Sequence, residues 1–226
     1  MEILKDFAPT SAQIDKFERY YQNLISFNQH TNLTAITDKE EVFVKHFYDS
    51  CLGASLIEQN ASVLDIGTGA GFPGVPLKIL REDINLYLVD SLNKRINFLN
   101  QLKTELNINY KTEHSRAEDF AHSSNRESFD VVVARAVAGL NTLCEYTLPL
   151  VKVGGIFIAY KGSNYQDEIE VAKSAILKLG GKIEFVKEYD LPNNYGKRAL
   201  IVIRKVEKTK SIYPRGKNLP KLKPLV

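Results

Sequence analysis

Cysteine is nearly missing from this 226-residue chain: only Cys51 and Cys144 occur, 93 positions apart, with no C-x-x-C pair. That excludes a disulfide scaffold and a cysteine-based zinc ribbon and fits a reducing compartment, so a cytoplasmic protein is expected. Long apolar runs are lacking too. The longest candidate, Leu148 to Tyr160, is broken by Lys152 and two glycines, short of the roughly 18 residues of a membrane span. The N-terminal segment carries acidic Glu2 and Asp6 and no basic stretch leading into an apolar core, so no secretory signal and no membrane partner are expected. The four histidines (His30, His46, His114, His122) show no ligand spacing, and no metal is assigned. What is present is ordinary for a folded protein, 44% hydrophobic and 25% charged, which excludes global disorder. A monomer is expected.

The net charge of +3 is unevenly placed. Residues 204–226 hold eight basic side chains and one acidic one, a local charge of +7, leaving −4 on the rest. A basic tail on a mildly acidic body suits a polyanion, or simply solvates the chain end. Lys208, Lys210, Arg215 and Lys217 are its candidate RNA contacts. With so little apolar surface, the tail should be extended or loosely docked, and neutralising it should spare cofactor binding.

No internal repeat or low-complexity stretch occurs. Thr10 or Ser11 can cap a first helix with the apolar stripe Ile14, Phe17, Tyr21, Leu24, Ile25. Thr37 and Glu40 have capping-box spacing before Phe43, Phe47 and Cys51. Residues 28–34 form the connection between these helices. From Ser62 onward, short apolar runs alternate with helical patterns: 63–66, 86–89, 129–134, 156–159, 183–186 and 200–203, with a weaker run at 110–114. Unbroken apolar strands separated by helices predict a parallel sheet covered on both faces. No helix separates the last two, so an antiparallel pair and a mixed seven-stranded sheet are expected. The division is an N-terminal helical extension (1–58), a core (59–206) and the tail (207–226).

The most informative segment is V-L-D-I-G-T-G-A-G-F-P-G, Val63 to Gly74. Gly67, Gly69 and Gly71 at alternate positions after a strand permit positive φ and close approach of a ligand. Pro73 suits the first turn of a following helix, whose amides can face an electron-rich group. Asp90, 19 residues beyond Gly71, ends the next strand, where a carboxylate can accept both hydroxyls of a ribose. Asp65 decides the cofactor. A carboxylate there repels a pyrophosphate but suits the ammonium of S-adenosylmethionine, which carries no phosphate. The core is therefore expected to be a Rossmann-like α/β fold, the class I S-adenosylmethionine-dependent methyltransferase type.

Further candidates follow at the carboxyl ends of later strands. Ala117 and Glu118 are placed to meet an adenine, or else start a solvated helix. Arg135 directly follows four apolar residues, and Lys161 ends the fifth strand; both are candidates for orienting cofactor or RNA, and Lys161 is also a candidate RNA contact. His46, Asp49 and Ser50 either close over the cofactor or pack the N-terminal helices. No general base is assigned. The Asp/Asn-Pro-Pro-aromatic segment of amino methyltransferases is absent, and both cysteines read as packing residues. A methyltransferase of another substrate, a non-catalytic RNA-binding relative and a nicotinamide dehydrogenase are the competing readings.

With these residues in place, the sequence resembles the bacterial 16S rRNA guanine-N7 methyltransferase family, RsmG or GidB, over nearly its whole length. The resemblance rests on N-L-T-A-I (32–36), H-F-Y-D-S (46–50), D-I-G-T-G-A-G-F-P-G-V-P-L (65–77), D-S-L-N-K-R (90–95), R-A-E (116–118), A-R-A-V-A (134–138), Y-K-G (160–162) and Y-P-R (213–215). It implies cofactor contacts at Gly67, Phe72, Ala117, Glu118 and Arg135, with Asp90 at the ribose. It implies methylation of N7 of a guanosine in the 530 loop of small-subunit rRNA, with the small subunit or an assembly intermediate as partner. One departure is Gly-Lys-Asn-Leu-Pro at 216–220, where relatives commonly carry Lys-Xaa-Gly-Xaa-Pro.

Overall fold

The computed structural model describes residues 2–226. The N-terminal part holds α1 (Ser11–Thr31), α2 (Lys39–Val42), a π-helical turn (Phe43–Tyr48) and α3 (Asp49–Cys51). Thr10 caps α1 through a reciprocal capping box with Gln13. This helix runs further than the pattern predicts, to a left-handed cap at Asn32. It buries Phe17, Tyr20 and Leu24, with Tyr20 rather than Tyr21 on the core face. The second cap is Asp38, which accepts from the Glu41 amide; Thr37 lies one residue too early.

Seven strands follow: β1 (Ser62–Ile66), β2 (Asn85–Asp90), β3 (Lys111–His114), β4 (Phe129–Arg135), β5 (Val151–Lys161), β6 (Gly181–Asp190) and β7 (Lys197–Lys205). Between and after them lie α4 (Gly74–Leu80), α5 (Asn93–Glu105), α6 (Ala117–Ala121), α7 (Leu140–Thr147), α8 (Tyr165–Lys178) and α9 (Leu219–Leu222). The sheet order is β3-β2-β1-β4-β5-β7-β6. The pairings from β3 to β5 are parallel, and β7 is antiparallel to both neighbours.

Alternation along the buried strands splits the core in two. Val63, Leu88, Val131, Val133 and Ile158 pack with α4, α5 and the N-terminal helices. Leu64, Ile66, Val132, Ala134 and Phe157 pack with α7 and α8 on the other face. The strand order reverses between β1 and β4, so the loops leaving these two strands diverge and open a crevice at their carboxyl ends.

The tail differs from expectation. Arg215 donates to the fully buried carboxylate of Glu145 from its main-chain amide (2.8 Å), Nε (2.8 Å) and a terminal guanidinium nitrogen (2.7 Å). Arg126 donates to the carbonyls of Thr209 and Tyr213, and His122 Nε2–H donates to that of Pro214. Pro220 is buried and its carbonyl accepts from Thr142 Oγ1 at 2.9 Å. A cationic segment stays loose only when the body offers it no buried anion, and Glu145, inside the apolar pattern of α7, is one. No helix is long and apolar enough to cross a membrane, and no cluster of three metal-ligating side chains occurs among the described residues.

Candidate active site

The glycine loop leaves β1 with Gly67, Gly69 and Gly71 all at positive φ (68°, 61° and 101°). Their surroundings differ. A Cβ on Gly69 would meet nothing within 4 Å, so this residue edges open space; one on Gly71 would lie 2.6 Å from the Tyr20 hydroxyl and 2.8 Å from Val75. Gly69 lines the cleft and Gly71 faces the core. Gly71, expected at the cofactor, thus turns its Cβ side to the packed core, with Tyr20 donating to the neighbouring Ala70 carbonyl.

Asp65 also faces inward. Its carboxylate is fully buried and does not line the cleft; Oδ2 accepts from Thr68 Oγ1 (2.7 Å) and from the Gly74 amide (2.8 Å). Burial raises its pKa to about 7. The residue knots the loop to the start of α4, and the amide expected to face a ligand faces Asp65. Oδ2 thereby holds the loop, while Oδ1 has no hydrogen-bond partner among the described residues.

Three adjoining cavities lie along the carboxyl edge. The first, about 220 Å³, is lined by Asp90, Ala117, Glu118, Tyr146, Asn218 and Lys221, among others. The second, about 400 Å³, is lined by Gly67, Gly69, Phe72, Asp90, Arg95 and Arg135. The third, about 690 Å³, includes His46, Asp49, Arg135, Lys161, Glu168 and Arg198 in its wall. Asp90 borders the first two, Arg135 and His46 the last two, and Val137 all three. Val137 sits over the loop: a Cβ on Gly67 would come within 2.7 Å of its Cγ2. Neighbouring Ala136 takes a left-handed φ of 56°, a conformation usually held only by its surroundings.

Asp90 is held rigidly. It accepts from the amides of Gly69 and Leu92, both at 2.9 Å, and from Arg95 at 3.1 Å. Arg135 divides the second and third cavities. It donates to Asp49 Oδ2 (2.8 Å) and the Lys45 carbonyl (2.9 Å), faces His46 Nδ1 at 3.2 Å, and lies 5.0 Å from the Phe72 ring centre. His46 stacks on Phe72 at 4.6 Å. Burial, and then the Arg135 charge, depress its pKa to about 3, so the ring is neutral. Of the three N-terminal residues expected near the cofactor, His46 and Asp49 line the cleft, while buried Ser50 packs against the His46 carbonyl.

Lys161 has partners within the protein. Nearly buried, it donates to Glu168 Oε2 (2.6 Å) and the Ala138 carbonyl (2.7 Å), while Glu168 also accepts from the Leu140 amide. It pins the 135–140 loop. Arg215 is removed from the RNA candidates for a similar reason, its guanidinium being committed to Glu145. Lys208, Lys210 and Lys217 remain exposed. Sequence reasoning missed Arg95, Val137, Glu168, Arg198, Asn218 and Lys221 as site residues; the D-S-L-N-K-R and A-R-A-V-A strings offered a signal for the first two, and the basic, atypical tail a general one for the last two.

The residues fit S-adenosylmethionine: an open, left-handed Gly69 beside the carboxylate of Asp90, with no cationic cradle for a pyrophosphate in the loop itself. Fold and site together define the class I methyltransferase type. An O-methyltransferase from Thermotoga maritima superposes with a TM-score of 0.56 at 10% identity, covering 83% of this chain and 73% of its own. A ribosomal protein L11 methylase from Lactobacillus delbrueckii gives 0.55 at 14%, covering 72% and 79%. Residues 13–200 match the GidB family, described as rRNA small subunit methyltransferase G, and the chain belongs to that family. Proteins named ribosomal RNA small subunit methyltransferase G are 48% identical in Oceanobacillus iheyensis, over 94% of this chain and 91% of the relative, and 45% identical in Bacillus licheniformis, over 98% and 94%.

Proposed function

We propose that the protein transfers a methyl group from S-adenosylmethionine to N7 of a guanosine in the 530 loop of 16S rRNA. The observation that carries this reading is the set of three adjoining cavities that meet at Val137 in a chain of the GidB family. The first suits the adenine, beside Ala117 and Glu118. Asp90 stands where the ribose passes into the second cavity, which suits the amino-acid end. The third, the largest, takes the guanine.

The cofactor supplies an electrophilic methyl on a sulfonium. Guanine N7 offers an unprotonated lone pair, so no residue needs to remove a proton before transfer. The chain's work is alignment and exclusion of water. Arg135, fixed by Asp49 and stacked over Phe72, forms the partition that sets the approach. Neutral His46 places no additional charge beside a sulfonium or a guanine that becomes cationic. Lys161, through Ala138 and Glu168, positions the loop carrying Val137.

Transfer of labelled methyl to isolated small subunits lacking the modification, with the labelled nucleoside identified, tests the reading. N7-methylguanosine from the 530 loop is expected. Label in another nucleoside, or in ribosomal protein, would overturn it.

A further inference from the structure

The docked tail reaches the cleft. Asn218 and Lys221 belong to the wall of the 220 Å³ cavity that also contains Ala117, Glu118 and Tyr146. We propose that residues 216–221 are part of the cofactor site, walling its adenine end with Asn218 and Lys221 as the contacting side chains. This rests on the cofactor reading above.

Three observations carry it. The segment is anchored around Asn218: before it by Arg215 on buried Glu145, two residues after it by buried Pro220, whose carbonyl accepts from Thr142, and beyond Lys221 by the Lys223 carbonyl, which accepts from Arg215. A segment tied at both ends to a core helix is a built wall. Next, Lys217 and Asn218 take consecutive left-handed conformations, φ 57° and 58°, which set the start of α9 beside the cavity. Asn tolerates this region better than most residues. Its carboxamide makes no hydrogen bond with any described residue, and it carries the donor and acceptor that complement the amine and ring nitrogen of an adenine edge. Finally, Glu118 lines the same cavity, is 6% exposed and makes no side-chain hydrogen bond among the described residues, which leaves its carboxylate free to accept from the exocyclic amine.

The consequence is linkage. A ligand that contacts the docked tail stabilises docking, and anything that draws the tail away weakens cofactor binding by the same factor. Tail and cofactor are therefore coupled, contrary to the independence expected from sequence.

The test is titration of the full chain with S-adenosylmethionine and with its inosine counterpart, in which the amine is replaced by a carbonyl. Asn218→Gly combined with Lys221→Ala keeps the left-handed backbone and removes both side chains. It should raise the dissociation constant for S-adenosylmethionine about three- to tenfold, the range of one neutral hydrogen bond, and shrink the preference for adenine over hypoxanthine. Lys223→Ala, an exposed tail change outside the cavity, should bind like the parent. An unchanged dissociation constant in the double variant overturns the proposal. Should the variant misfold, the parent decides: saturating cofactor must slow tryptic cleavage after Lys217 and Lys221, and unslowed cleavage overturns the proposal equally. A parent that binds no S-adenosylmethionine refutes the cofactor reading instead.

Discussion

At the scale of single residues, the site is built from groups whose neighbours have already decided their state. Gly69 combines a φ of 61° with open space on its Cβ side, at the cleft edge. Gly69→Val therefore strains the loop and fills the cleft, so calorimetric titration should show cofactor binding lost while circular dichroism stays native. Retained affinity would place the cofactor elsewhere. Asp90→Ala removes the carboxylate between the first two cavities and should weaken cofactor binding by about 1.5–3 kcal/mol, the range for hydrogen bonds to charged groups; an effect below tenfold would count against the ribose role. His46 carries a pH signature. Its pKa is depressed from 6.5 to about 3 by burial and Arg135, so folding favours the neutral ring. The stability this contributes is present above pH 6.5 and is lost progressively as pH falls toward 3. His46→Gln should flatten the acid limb of a Tm-against-pH curve, and an equally steep limb in the variant would assign the dependence to other groups.

The elements turn these residues into a cleft. The β1 loop is tied back by Asp65 to α4, the loop after β4 is tied by Lys161 and Glu168 to α7 and α8, and the two meet where Val137 covers Gly67. The tail is the third tie. Glu145 is fully buried and Arg215 is its charge partner. Arg215→Ala would leave that carboxylate buried and unpaired, a loss of about 3–5 kcal/mol by chemical denaturation. Replacing both, Glu145→Leu with Arg215→Met, should recover most of it, because an apolar pair of similar volume carries no desolvation penalty. A single variant as stable as the parent would mean the ion pair does not hold the tail.

For the whole molecule, charge and docking have to be separated. Of the cations first assigned to RNA, Arg215 and Lys161 are consumed internally, leaving Lys208, Lys210 and Lys217 on the surface. Each single-strand phosphate contact contributes about −0.7 to the log–log slope of binding against salt. Neutralising all three should flatten the slope for rRNA fragments by up to roughly 2, read from affinities across a salt series. An unchanged slope would leave the tail as structure alone.

The amino-acid order by itself determined the sheet, the glycine turn and the place of Asp90 at the end of the second strand, because these are local: apolar runs choose strands, and a left-handed loop between strand and helix demands glycine wherever the rest of the chain lies. It also showed that the tail is cationic. What only the tertiary structure decided was which groups meet. Asp65 and Gly71 sit in the motif as Gly69 does, yet they point into the protein, since α4, Tyr20 and Val75 pack behind the loop. Arg215 and Lys161 look like free cations until Glu145 and Glu168, 70 and 7 residues away, are brought beside them. Asn218 was marked only as part of a segment that departs from the family pattern, and not as a site residue, because its place at the cleft depends on Arg215 and Pro220 docking from either side. Side-chain partners across such separations are chosen by packing, and packing has no period in the sequence.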